Sequence, residues 1–151
     1  MTDYASFNDR RIKHMEMIQA VLARLGNDSF FVKGWAITVA GAFLGFAVNL
    51  ENASLALASV LPTFLFWTLD TYYLWSERLF RDLYDLVREG SEDVEPFFMG
   101  ATTDDFIEIA NEQPERGAAT RREVFRSRTL WRFYAAIIGS AIFLALLICF
   151  G

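Results

Sequence analysis

Three blocks of apolar residues constrain this chain more than any other feature: Gly34 to Leu50, Leu55 to Trp75 and Phe133 to Phe150. A helix rises about 1.5 Å per residue and a bilayer's hydrocarbon core is about 30 Å thick, so each block is near spanning length, the first and third with help from flanking residues. The only formal charge inside all three is Asp70. With 54% of 151 residues hydrophobic, too little polar chain remains to cover three such helices in water. The length leaves room for one domain and little more. Three transmembrane helices are therefore predicted. No signal peptide is expected ahead of them, because the first thirty residues carry Arg10, Arg11, Lys13, Glu16 and Arg24 and no early apolar core.

Orientation follows from the basic residues. All fourteen lie in residues 10–33 and 78–132, with none in Glu51 to Ser54 or from Phe133 onward. The positive-inside rule then places the N-terminus and the long loop in the cytoplasm, the turn at Glu51, Asn52 and Ala53 outside, and the C-terminus at the outer face. Trp35, Tyr72, Tyr73, Trp75, Trp131 and Tyr134 fall at the inner ends, at the headgroup level that amphipathic rings favour. A net charge of −5 argues against a general nucleic-acid binder, and the lone Cys149 excludes an intrachain disulfide.

Before the first span, residues 4 to about 25 read as an amphipathic helix in which Met15, Ile18, Leu22 and Leu25 recur three, four and three apart. Gly26 stands where a helix stops, and Asn27, Asp28 and Ser29 offer caps for a new one. A hinge is expected there, dividing an N-terminal segment 1–29 from a membrane segment 30–151. The narrow seam suits packing against the rest of the chain, contact with symmetry mates, or a gate below the membrane, while Met17 and Val21 widen it enough to lie on a membrane surface. After the second span, Trp75, Leu79, Leu83 and Leu86 carry the helix on to about Glu89, with four-apart pairs of Glu77 with Arg81, Arg78 with Asp82, and Arg81 with Asp85. Beyond Gly90, Pro96 and Pro114 bracket a short helix opened by Thr102 or Thr103 that turns Phe106 and Ile109 inward. The loop is electrically bipolar: residues 77–115 hold twelve acids against three Arg, while residues 116–132 hold six Arg against Glu123.

Enzymatic chemistry has little footing. His14 and Cys149, each alone of its kind, fall on opposite sides of the membrane, and there is no Gly-rich phosphate loop and no Ser, His and Asp set. The chain reads as a non-enzyme with no cofactor and no metal. Asp70, inside a span, demands a partner, and Lys33 is the candidate, either as a structural ion pair between the first two spans or at a pore position. Glu51 is a solvated turn residue or, in a symmetric assembly, part of an acidic ring at the outer mouth. Gly34, Thr38, Gly41, Ala42 and Gly45 share one side of the first span, and Ala135, Gly139, Ala141 and Ala145 mark the third. Such stripes mean helix contact, within a protomer or between protomers. Pro62 predicts a kink in the second span. Three helices alone enclose no water-filled path, so a channel built from them needs an oligomer. Arg121, Arg122, Arg126 and Arg128 suit anionic headgroups, or a phosphate-rich ligand such as a nucleotide or short oligonucleotide, with Phe125 and Trp131 placed to stack.

The succession Lys13-His14-Met15-Glu16-Met17-Ile18-Gln19, then Asn27, Ser29, Phe30 and Lys33-Gly34-Trp35, then Phe66-Trp67, Asp70, Tyr73, Glu77-Arg78, Phe80-Arg81 and Tyr84 resembles a known family. It is that of small bacterial membrane effectors encoded beside nucleotidyltransferases, the family of the Hailong anti-phage membrane channel effector. The resemblance covers roughly residues 10 to 85 and leaves the later loop and third span unmatched. It implies a homo-oligomeric, tetrameric ion channel of the bacterial inner membrane, an antiviral defence effector held closed until infection. On that pattern the Met15, Ile18, Leu22 and Leu25 seam obstructs the pore. Short DNA oligomers from a partner nucleotidyltransferase then act through the Arg121 to Arg128 segment. The alternative is a non-channel membrane anchor or scaffold subunit that recruits a cytoplasmic partner. Either way the expected fold is an all-α membrane protein. It has three transmembrane helices (about 34–50, 55–75 and 133–150), an N-terminal cytoplasmic amphipathic helix, and a long cytoplasmic loop, 76–132, between the second and third spans.

Overall fold

A computed structural model describes residues 2–89, 94–95, 97–100 and 120–150. Among the described residues every regular element is an α-helix: α1 (Thr2–Asn49), α2 (Ala53–Ala58), α3 (Val60–Glu89), α4 (Arg121–Phe125) and α5 (Arg128–Phe150). Three stretches are long and apolar enough to cross a membrane, Asn8–Asn49, Ala53–Glu89 and Arg128–Phe150. The short helix expected from Thr102 or Thr103, with Phe106 and Ile109, lies outside the described residues, as does Arg116. The chain forms two compact units, one from the described parts of Met1–Asn27 and Leu74–Thr120, the other from those of Asp28–Tyr73 and Arg121–Gly151.

The helix stop and restart expected at Gly26 to Ser29 are absent, and α1 passes through these residues unbroken. An interior glycine costs a helix about 1 kcal/mol relative to alanine, and burial of the flanking residues offsets it. Leu25, Ser29 and Val32 are all buried. Ser29, expected as a cap, sends its hydroxyl to Asp70 instead. At about 100° per residue, the buried positions His14, Ile18 and Leu25 share one face of α1 in the first unit, and Ser29, Val32, Ala36, Ala40 and Ala47 share one face in the second.

Near Pro62 the helix is interrupted at one residue, Ser59, which keeps helical φ and ψ of −64° and −20°. Lacking the N–H that would bond the carbonyl four residues back, Pro62 favours an end to α2 at Ala58, and Ser59 closes the gap. The Ser59 hydroxyl donates to the Ala56 carbonyl at 2.7 Å, and its own carbonyl accepts from the Thr63 amide and hydroxyl at 3.2 and 2.8 Å. Ahead of α2, the Asn52 side chain accepts from the Ser54 amide at 2.9 Å and caps the helix.

In the first unit, Ile18 is fully buried against Leu79, Leu83, Leu86 and Val87, with Met15, Leu22, Trp75, Phe80, Tyr84, Val94, Phe98 and Met99 around them. Polar ties reinforce the contact. Arg11 Nε donates to the Val87 carbonyl at 2.7 Å, among the last carbonyls of α3 that lack a helical partner. His14 Nε2 lies 2.8 Å from the Phe98 carbonyl, and Gln19 Nε2 donates to the Tyr84 hydroxyl at 3.2 Å. Arg81 pairs with Glu77, as the four-apart spacing predicts, whereas Asp85 pairs with Arg88 three residues on.

In the second unit, Ala47, Ala56 and Ala145 meet where α1, α2 and α5 pack, with Leu44, Leu55, Leu144 and Ile148 beside them. Small side chains there let backbones approach closely. Further along, Leu130, Tyr134 and Ala141 turn the same face of α5 inward, while Ile142, Phe143, Leu146 and Leu147 face out.

Candidate functional site: an arginine groove and a buried carboxylate

Asp70 is fully buried on α3 and gathers groups from two other helices. Ser29 and Lys33 stand four residues apart on α1 and so share a face. Asp70 Oδ1 accepts from Ser29 Oγ at 2.5 Å and from Lys33 Nζ at 2.8 Å. Oδ2 lies 2.7 Å from Lys33 Nζ and accepts from the Tyr134 hydroxyl at 3.1 Å. Lys33 Nζ also donates to Ser29 Oγ at 2.7 Å. A buried carboxylate is tolerable when charge is paired and both oxygens are hydrogen-bonded, and here both conditions hold. Asp70 and Lys33, expected as a pair or as pore groups, are brought together within one chain.

Beside this cluster lies a stack of rings. Trp67 stacks on Phe125 with 4.4 Å between centroids and on Tyr134 with 5.7 Å, the planes 6° and 8° apart. Phe64 meets both Trp67 and Phe125 edge to face. α4 is held by Val124, which is fully buried, so that its arginines stand outward. Ser127 links it to α5 by donating to the Val124 carbonyl and accepting from the Trp131 amide.

A groove of about 490 Å³ is lined by Thr68, Thr71, Arg121, Arg122, Phe125 and Arg126. The guanidinium of Arg121 lies over the Tyr72 ring at 5.6 Å. The hydroxyls of Thr68 and Thr71 each donate to their own helix, to the Leu65 and Trp67 carbonyls, leaving oxygen acceptors on the groove wall. Three of the four arginines read from the sequence as a ligand set thus share one groove. Arg128, the fourth, is exposed at the start of α5 and is not in the lining. Forked donors around an aromatic floor suit phosphoryl oxygens carried on a larger body.

The remaining expected site residues are dispersed. Met15, Ile18 and Leu22 of the seam pack within the chain, and Leu25 is buried further along α1. Glu51 is exposed in the turn after α1, with φ at 48°. The two small-residue stripes diverge. On α5, Ala141 and Ala145 are buried, Ala135 is half-buried and Gly139 is exposed, whereas Gly34, Thr38, Gly41, Ala42 and Gly45 of α1 all face outward. A Cβ added at Gly34, Gly41 or Gly45 meets no atom within 4 Å. Trp67, Thr68, Thr71 and Tyr134 escaped the sequence reading as site residues. Their one available signal was position, since Trp67 and Thr71 flank Asp70 on α3 and Tyr134 is the belt aromatic deepest in the third span. Comparison with protein-family models, curated proteins and solved structures finds no match to this chain.

Proposed function

We propose that this chain is the subunit of a homo-oligomeric, tetrameric gated ion channel of the bacterial inner membrane. In this reading it serves as an anti-phage defence effector and is not an enzyme. Its N-terminus lies in the cytoplasm, and a nucleotide-derived ligand or short oligonucleotide controls it from that side through Arg121, Arg122, Arg126 and Arg128. The observation that carries the oligomer is the outward small-residue face of α1. Gly34, Thr38, Gly41 and Gly45 lie opposite the face that packs within the protomer, between Phe30 and Ile37 on one side and Phe31, Trp35 and Phe46 on the other. Small residues at this spacing are the usual surface for close helix contact in lipid, and the protomer itself does not use them. The arginine groove supports the anionic ligand. The basic residues, confined to residues 10–33 and 78–132 and absent from the Glu51 turn and from Phe133 onward, support the orientation.

The anchor or scaffold reading draws on a different observation. Met15, Ile18 and Leu22, the residues proposed to gate, are engaged with α3 of their own chain, as in a folded recruitment unit. Mass measurement in detergent together with single-channel recording of the full chain in planar bilayers separates the two. A tetramer whose conductance changes when a short 5′-phosphorylated deoxyoligonucleotide is added supports the channel. A monomer, or an oligomer that stays electrically silent with and without the oligonucleotide, overturns it in favour of the scaffold.

A further inference from the structure

The groove and the buried carboxylate are joined by the stacked rings. Phe125 lines the groove and lies nearly parallel to Trp67, which lies nearly parallel to Tyr134. Tyr134 is fully buried, and its hydroxyl has one proton and two acceptors in range, Asp70 Oδ2 at 3.1 Å and the Phe66 carbonyl at 3.4 Å. Rings in contact within a close-packed interior do not shift independently. Movement of Phe125 therefore reaches the hydroxyl that selects between those acceptors. Trp67 adds an independent sign, because its buried Nε1–H is, among the described residues, the buried side-chain group without a hydrogen-bond partner. A native orphan donor of this kind calls for a reason such as a functional rearrangement.

We propose that Phe125, Trp67 and Tyr134 couple the arginine groove to the Asp70 cluster. A phosphoryl group seated among Arg121, Arg122 and Arg126 shifts the Tyr134 hydroxyl between Asp70 and the Phe66 carbonyl, and with it the hold of α5 on α1. This rests on the reading of the groove as an anion seat and adds how its occupancy is passed on. Donated to Asp70, the hydroxyl ties α5 to a carboxylate that Ser29 and Lys33 of α1 also hold. Donated to the Phe66 carbonyl, it holds α3 alone and releases the carboxylate. These two arrangements are the bistable element that a coupling between sites requires. A lipid headgroup and a free nucleotide present the same phosphoryl oxygens to the guanidinium forks.

Coupling is reciprocal, so altering the hydroxyl must alter affinity in the groove. The test measures the Kd of a 5′-phosphorylated deoxythymidine trinucleotide for the full chain in phosphatidylcholine nanodiscs. Tyr134→Phe changes the Kd at least about threefold, and the change vanishes in a Phe125→Leu background where the ring contact is cut. A smaller change, or one that persists with Phe125→Leu, overturns the coupling. Asp70→Asn is the second variant, with the same two expectations, should Tyr134→Phe fail to fold. Arg122→Gln with Arg126→Gln tests the underlying reading separately. Binding that survives this pair overturns the groove as anion seat; binding lost with the pair but unmoved by Tyr134→Phe overturns the coupling alone. Nanodiscs containing phosphatidylglycerol then separate the sources of phosphate. A trinucleotide Kd raised about tenfold more by phosphatidylglycerol than by a phosphate-free anionic lipid at equal surface charge assigns the seat to lipid and overturns nucleotide control, whereas equal Kd values in the two support the free nucleotide.

Discussion

Replacing Lys33 with methionine removes the only cation that contacts Asp70 among the described hydrogen bonds and ion pairs, and the consequence is asymmetric between the two partners. The Asp70 side chain is 0% exposed and Lys33 is 25% exposed. In Lys33→Met the carboxylate keeps the Ser29 and Tyr134 hydroxyls but no compensating charge. Removing one partner of a buried pair costs about 3–5 kcal/mol, and the two remaining donors place this variant near the lower end, about 3 kcal/mol. In Asp70→Asn the lysine is not stranded, because its flexible stem carries the ammonium toward the quarter of the side chain already exposed. What is lost is a pair and part of a hydrogen-bond set. Such bonds in membranes are worth about 0.6 kcal/mol each and at most about 1.7, so the expected cost is about 1–2 kcal/mol. The double variant buries no unpaired charge and therefore costs about as much as Asp70→Asn alone, not the sum of the two. Reversible unfolding in mixed micelles, followed by helicity as denaturing detergent is added, measures all three. If Lys33→Met is no worse than Asp70→Asn, or if the two costs add, the account of Asp70 as a charge that depends on Lys33 is wrong.

Three further outcomes follow from the geometry. Ile18→Ala opens a cavity among Leu79, Leu83 and Leu86 and costs about 3 kcal/mol, read as faster hydrogen exchange across residues 79–87; unchanged exchange would contradict the packing. At Gly41 an added Cβ meets no atom within 4 Å and the position faces outward, so Gly41→Leu changes protomer stability by no more than about 0.5 kcal/mol while the oligomer falls apart in analytical ultracentrifugation. An intact oligomer removes that face of α1 from the interface. Arg126→Gln lowers oligonucleotide affinity and reduces the slope of log Kd against log salt by about 0.7, the share of one phosphate contact to a single strand. A slope equal to wild type places Arg126 away from phosphate.

The sequence by itself determined the three membrane-length helices, because spanning depends on hydropathy summed over contiguous residues and a helix satisfies its backbone hydrogen bonds within its own segment. It also singled out Asp70 and Lys33, since a lone charge in an apolar block needs an opposite charge at similar depth and few candidates exist. Local signals went wrong where tertiary contacts outweighed them. Gly26 and Ser29 carry the marks of a stop and a cap, yet packing on both sides and the bond from Ser29 to Asp70 keep α1 continuous. Pro62 marks an interruption whose location at Ser59 depends on which hydroxyls and carbonyls close the gap. The groove and its rings were decided only by the tertiary structure. Phe125 reaches Trp67 from 58 residues away and Tyr134 reaches Asp70 from 64, and no periodicity along the chain records a meeting of side chains that distant. Tyr134 read from sequence as one more belt aromatic because its ring satisfies that composition rule equally well, and only the position of the α3 carboxylate beside its hydroxyl makes it part of a site.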